Sequence, residues 1–214
     1  VLDVTQLAQN TPAWLQARCG SIGASDAPRA VRKLASGGYS ADRAKLRGEK
    51  VVERLTGNPK EIPKTAAMLQ GTAREPDGRL MYSIVMGVDV EEIAIVAHPT
   101  IKGSHASPDG LVGAEGLIEI KCPLETTHVE ALEDGQISRD HIVQMQWQMA
   151  CTGRAWCDFV SFNPDFPLPM QLWVKRVHRD RADIADLERE IAKLVREIDD
   201  QVERLTRRYE RVQA

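Results

Sequence analysis

SPDGLVGAEGLIEIKCP, running from Ser107 to Pro123, sets Asp109 ten residues before Glu119 and Lys121 two residues after that glutamate. Two apolar-rich segments flank a Gly113-Ala114-Glu115-Gly116 turn signal, so the stretch reads as a β-hairpin that brings Asp109 and Glu119 side by side. Strand side chains alternate faces with period two. Glu119 and Lys121 therefore share one face, while Ile118, Ile120 and Cys122 take the other. Two carboxylates and one ammonium are gathered on one small patch.

Such a patch suits phosphodiester hydrolysis. That reaction needs a hard cation, usually Mg2+, held by a few carboxylate oxygens that leave positions open for water and phosphate. Asp109 and Glu119 supply those oxygens, and the Ile120 carbonyl between Glu119 and Lys121 is a further candidate ligand. Lys121 is placed to orient or deprotonate the attacking water, or to offset charge developing on the phosphorus centre. Taken alone, the Glu-x-Lys pair is more simply an exposed strand with a charge pair. The Pro108-Asp109 dipeptide across the hairpin turns the reading toward a nuclease.

Outward from the hairpin, Thr11 and Pro12 open a first helix that contains Trp14, Leu15 and Arg18. Ser25 is the expected cap of a second helix, SDAPRAVRKL. A third helix runs from about Ala41 to Thr56 and is closed by Gly57; a fourth spans Ala66 to Met86 with Glu75 inside it. Pro76 is expected to kink that fourth helix or to mark its start. Strand-like segments at Val88 to Ala97 and in the hairpin precede a helix from Arg139 to Thr152. Two more strands follow, near Ala155 to Phe162 and Pro169 to Val177. From Ile184 the apolar residues Leu187, Ile191, Leu194, Ile198, Val202, Leu205, Tyr209 and Val212 recur at steps of three and four, a long amphipathic C-terminal helix over about 181–212. Its seam is open to two uses, packing on its own domain or a subunit contact. An α/β fold with a sheet core flanked by helices is implied.

The 214 residues, 43% of them hydrophobic, suffice for one domain, with the catalytic core at about 14–180. No membrane span or signal peptide is read in the sequence, and a soluble, cytoplasmic protein is expected. Cys19, Cys122, Cys151 and Cys157 lack Cys-x-x-Cys spacing, so reduced, mostly buried thiols are expected rather than a zinc or iron-sulfur site. The net charge of −3 gives no support to a generic nucleic-acid binder. Its distribution says more. From Arg29 to Lys64 ten Lys or Arg face four Asp or Glu, and from Glu75 to Asp134 twelve acids face three bases. A basic region, whose simpler reading is a solvated helix face, precedes an acidic, metal-ready one.

Four ordered blocks carry a resemblance: WLQAR (Trp14 to Arg18) with IGAS (Ile22 to Ser25), GTAREPDGR (Gly71 to Arg79), SPDG with LIEIKCP (Ser107 to Pro123), and VQMQWQM (Val143 to Met149). Together they resemble the phage lambda exonuclease family of viral-type recombination and alkaline exonucleases, in the PD-(D/E)xK superfamily. The resemblance implies a restriction-endonuclease-like core with a mixed central β-sheet. It implies an exonuclease that uses Mg2+, with Mn2+ substituting and Ca2+ binding without supporting catalysis. This enzyme degrades the 5′ strand of duplex DNA and releases mononucleotides.

Asp109, Glu119 and Lys121 match the family's catalytic core, Glu75 its helix-borne metal ligand, and Gln144 a helix glutamine near the catalytic lysine. Arg18 and Ser25 match residues that grip a terminal 5′-phosphate. A serine at a helix N-terminus beside an arginine fork is also chemically suited to phosphate, although a plain cap and a surface arginine are the commoner pair. Where the family has a tyrosine three residues before that glutamine, this chain has His141, whose role stays open. No Walker motif is present, so ATP-driven translocation is not expected. Any processivity is then expected from topology or from the gain of hydrolysis itself, and the resemblance implies a ring of three subunits around DNA, in a phage or prophage protein of a bacterial host. The resemblance further implies, as partner, a single-strand annealing protein that receives the 3′ overhang. Two rivals remain: another nuclease of the superfamily, such as an endonuclease or junction resolvase, and a non-catalytic DNA-binding module built on the C-terminal helix.

Overall fold

The computed structural model describes residues 7–60, 63 and 65–210. Expectations resting on the first six residues, on Glu61, Ile62 and Lys64, and on Val212 lie outside them.

Five strands form the central sheet in the order β1 (Val90–Glu91), β4 (Gly110–Val112), β5 (Gly116–Lys121), β6 (Trp156–Phe162), β7 (Leu172–His178). Only the β5–β6 pair in this sheet is parallel, so the sheet is mixed, as the family resemblance implied. Parallel neighbours need a crossover, and the chain makes it with α5 (Glu125–Asp134) and α6 (Arg139–Thr152). The segment expected as one strand from Val88 to Ala97 is divided. Its second part, β2 (Val96–Ala97), pairs with β3 (His105–Ala106) in a separate ribbon.

Helix limits follow the caps. In α1 (Pro12–Arg18), α3 (Ala41–Thr56), α4 (Ala66–Met86) and α6 the hydroxyls of Thr11, Ser40, Thr65 and Ser138 each accept from a first-turn backbone N–H. Gly57 and Gly153 close α3 and α6 at φ of 68° and 75°, a region that L side chains avoid. Two expectations are corrected. Pro76 does not mark the start of the fourth helix, the second of its two expected roles, since α4 begins at Ala66 and continues through it. Ser25 is not a cap: it sits inside a short 3-10 turn (Ala24–Asp26) that begins at Gly23, and the following α2 (Ala27–Val31) stops short of Arg32 and Lys33. Helix α5 had no sequence forecast. Leu124 stands at its N-cap without a capping hydrogen bond, so the usual start signal is missing.

The sheet has two apolar faces. Leu117 and Phe159 pack with Met145, Trp147, Leu46 and the seam of α7 (Arg181–Glu210). Ile118, Ile120, Val112 and Val160 pack with Tyr82 of α4 on the other face. The α7 seam is buried from Ile184 through Ile198 and partly buried at Val202 and Leu205, so it serves its own fold, while Tyr209 is exposed. Helix α4 comes close to the sheet because Gly78 has no side chain; a Cβ there would stand 3.1 Å from Ile120 Cγ2 and 3.2 Å from Phe162 Cδ1. That approach brings Glu75, nearly one turn earlier, to the end of β5.

Candidate active site

Strand alternation turns Glu119 away from Ile118 and Ile120 and toward α6, where the residue is only 1% exposed. Oε1 accepts from Gln144 Nε2 at 2.6 Å and from the Lys121 ammonium; Oε2 accepts from Gln148 Nε2 at 2.5 Å. Gln144 and Gln148 are four residues apart, hence on one face of α6. Gln148 is in turn approached by Cys157, whose Sγ donates to Oε1 at 3.8 Å. One step beyond the Gly110–Ile118 pair, Asp109 falls opposite Glu119, and its Oδ2 accepts the Ile120 N–H at 2.6 Å. Arg79 of α4 donates through Nε to the Asp109 carbonyl at 2.9 Å and pairs with Glu92.

Burial, then the nearby Glu119 charge, pushes the Asp109 carboxyl well above the usual range; Lys121 opposes this. For Lys121 itself, burial favours the neutral amine, but Glu119, Asp109 and Glu75 outweigh it and raise its pKa. Two carboxylates crowded in a buried pocket call for a positive counter-charge. Among the described residues no three His, Cys, Asp or Glu side chains form a ready-made metal cage. Two carboxylates with a carbonyl are nonetheless an all-oxygen donor set that suits Mg2+, which keeps much of its own water.

Asp109, Glu119, Lys121, Gln144, Glu75, Arg18 and Ser25 line one cavity of about 160 Å³. The structure thus brings together seven of the nine residues expected at the site. Ile120 and His141 instead line an adjoining groove of about 700 Å³, which Glu75 and Lys121 also border. The His141 ring lies 5.1 Å from that of Phe159, and burial, then Lys121, pulls its pKa down. Arg18 lies over the Trp14 ring at 4.0 Å and donates from Nε to His105 Nε2 at 3.0 Å. Ser25 is exposed on its 3-10 turn.

Sequence reasoning missed four contributors. Gln148 carried a usable signal, its four-residue spacing from Gln144. Arg79 and His105 carried none, because their contacts span 30 and 87 residues. The fourth, Ser107, lines the same cavity with a buried hydroxyl that has no hydrogen-bond partner in the structure.

A mixed sheet with two carboxylates and a lysine gathered at one end of its middle strands is the arrangement of the PD-(D/E)xK nuclease class. The YqaJ-like viral recombinase domain matches residues 13–155, and the chain belongs to that family, the lambda exonuclease family. It is similar to an alkaline exonuclease (LHK-Exo) from Laribacter hongkongensis, with 43% identity, a TM-score of 0.88, and coverage of 94% of this chain and 100% of that one. A second structure of that relative holds dAMP. A phage-related exonuclease from Haemophilus somnus 129PT shares the fold at 14% identity, with a TM-score of 0.66 and coverage of 87% and 96%. A search among curated proteins gave no significant match. Among the described residues no helix is long and apolar enough to cross a membrane.

Proposed function

We propose that the chain is a Mg2+-dependent, ATP-independent 5′-to-3′ exonuclease of duplex DNA that releases 5′-mononucleotides and leaves a 3′ overhang for recombination by strand annealing. The observation that carries this reading is the shared cavity: the carboxylate–lysine centre and the Arg18–Ser25 pair face one space. A terminal phosphate held by Arg18 and Ser25 fixes the strand end, so the phosphodiester presented to Asp109 and Glu119 is counted from that end. An internal cut needs no such pocket, which disfavours an endonuclease or resolvase. The dAMP found with the 43% identical relative fits a nucleoside monophosphate product.

Asp109, Glu119 and the Ile120 carbonyl are the proposed ligands of Mg2+, with Glu75 as a further or water-mediated one. Bound there, the metal would supply charge for the phosphoryl oxygens and lower the pKa of an attacking water. The protein's own part is orientation. Gln144 and Gln148 hold Glu119 by both oxygens, and the Ile120 N–H and Arg79 hold Asp109. Lys121 presents an ammonium to the reacting phosphate and its nucleophile. His141 lines the adjoining groove that Lys121 also borders.

Linear duplex with 5′-phosphorylated ends, incubated with and without Mg2+, beside a closed circular duplex, tests the reading. Loss of the linear form only, in Mg2+ only, with mononucleotides as product, is expected. Cutting of the circle would establish an endonuclease, and no hydrolysis of either would leave a binding module. The proposal extends to a homotrimeric ring on DNA, handing its overhang to an annealing protein.

A further inference from the structure

We infer that His105 is a positioning residue that aims Arg18 at the terminal 5′-phosphate, by accepting the Arg18 Nε–H with a neutral imidazole. The inference rests on the proposal that Arg18 anchors that phosphate. Its geometry is independent of the metal centre. Arginine is a donor only, so the 3.0 Å contact from Arg18 Nε requires a lone pair on His105 Nε2. The proton then belongs on Nδ1, where Ser21 Oγ lies 2.8 Å away to receive it. With Nε committed to His105 and one face laid on Trp14, Arg18 is left with Nη1 and Nη2 for a ligand in the cavity. The Trp14 indole is itself fixed, its Nε1 donating to the Ala94 carbonyl at 2.8 Å. Gly23 makes room, since a Cβ there would stand 3.1 Å from His105 Nε2 and 3.2 Å from Arg18 Nη2.

The choice of histidine has a physical reason. Asp or Glu in its place would orient Arg18 equally well but would also neutralise it, and the phosphate would then compete with a built-in anion. A neutral acceptor orients the guanidinium and leaves its charge for the ligand. The two nearby carboxylates are engaged elsewhere: Asp26 with the Gly23 N–H and Lys50, Glu53 with the Gly20 N–H and Lys50. Burial, then the charges of Arg18 and Lys50, hold His105 down at about 3, so the ring stays neutral across the working range of pH.

The test compares kcat and KM on one duplex with a 5′-phosphate or a 5′-hydroxyl end, for the wild type, Arg18→Ala, His105→Leu, His105→Gln and His105→Asn. Arg18→Ala should abolish most of the preference for phosphate. His105→Leu should reduce it by about tenfold, through a raised KM on phosphorylated ends. His105→Gln, whose Oε1 reaches toward Arg18, should keep it within about twofold of the wild type. His105→Asn, which reaches Ser21 but falls short of Arg18, should behave as His105→Leu does and serves if the leucine variant does not fold. Retention of the preference in His105→Leu or His105→Asn, with its loss in Arg18→Ala, would overturn the role of His105 alone. So would an equal slowing on both ends. A preference that survives Arg18→Ala removes the anchor reading and this inference with it.

Discussion

At Glu119 the two carboxylate oxygens receive Lys121 from the same strand and Gln144 and Gln148 from α6, so its direction is set before substrate arrives. Asp109→Ala and Glu119→Ala are expected to lower kcat by about a thousandfold or more, equal to about 4 kcal/mol of transition-state stabilisation, while DNA binding in Ca2+ persists. Single-turnover hydrolysis beside filter binding checks this; near-normal turnover in either variant sinks the metal-ligand assignment. His105 gives a prediction for stability. Its folded pKa of about 3 lies below the ordinary histidine value of 6.5, so between those limits the unfolded chain binds a proton that the folded chain does not. Stability is therefore lost as pH falls from about 6.5 toward 3, by as much as about 5 kcal/mol from this residue. Urea titrations at pH 7 and pH 5 should show a steeper loss in the wild type than in His105→Gln; parallel losses would mean that His105 protonates freely in the fold.

At the scale of elements, the hairpin is held by what its glycines omit. A Cβ on Gly116 would come 2.1 Å from the Trp156 ring, which lies under the Arg176 guanidinium at 3.5 Å, and Arg176 is tied to Asp158 at 2.8 Å. The ring has no easy retreat. Gly116→Ala is expected to destabilise by roughly 1 to 3 kcal/mol, the usual cost of overpacking. Gly48 lies inside α3 with no atom within 4 Å of its would-be Cβ, so Gly48→Ala should stabilise by about 0.5 to 1 kcal/mol. Thermal melts of both variants check the pair, and equal shifts would mean that neighbours play no part. Arg154 braces the same turn by donating to the carbonyls of Gly113 and Gly116 at 2.7 and 2.8 Å.

For the whole molecule, the charge surplus of Arg29 to Lys64 is largely answered within the chain. Arg29, Arg32, Lys33, Arg43, Arg54 and Lys60 pair with Glu49, Asp140, Glu190, Glu197, Asp199 and Glu49, respectively. Count alone thus overstates the positive potential that this stretch offers to a DNA channel. On α4, Leu69, Ala73, Pro76, Leu80 and Ile84 form an exposed apolar stripe, which the proposed ring would bury between subunits. Sedimentation of the free protein is expected to give a trimer, and Leu80→Glu with Ile84→Glu a monomer that keeps the far-UV spectrum of the wild type, since both side chains face solvent within one chain. A wild-type monomer at micromolar concentration that still degrades long duplexes processively would remove the ring.

What the sequence determined by itself was local: the hairpin, the common face of Glu119 and Lys121, the capped limits of α3, α4 and α6, and the seam of α7. Each depends on residues within about one or two turns of one another, where period and cap chemistry act directly. Asp109, Glu119 and Lys121 were therefore legible as candidates, whereas Glu75 and Gln144 were reached only through the resemblance to the exonuclease family. Tertiary structure alone decided which distant groups complete the site. Arg79 meets Asp109 only because α4 lies against the sheet at Gly78, and Arg18 meets His105 only because the segment after α1 pairs with β3, the Ile22 N–H donating to the Gly103 carbonyl and the His105 N–H to the Ile22 carbonyl. The same reason governs charge: Lys33 reaches Glu190 across 157 residues, and a partner that far along the chain leaves no mark in local pattern.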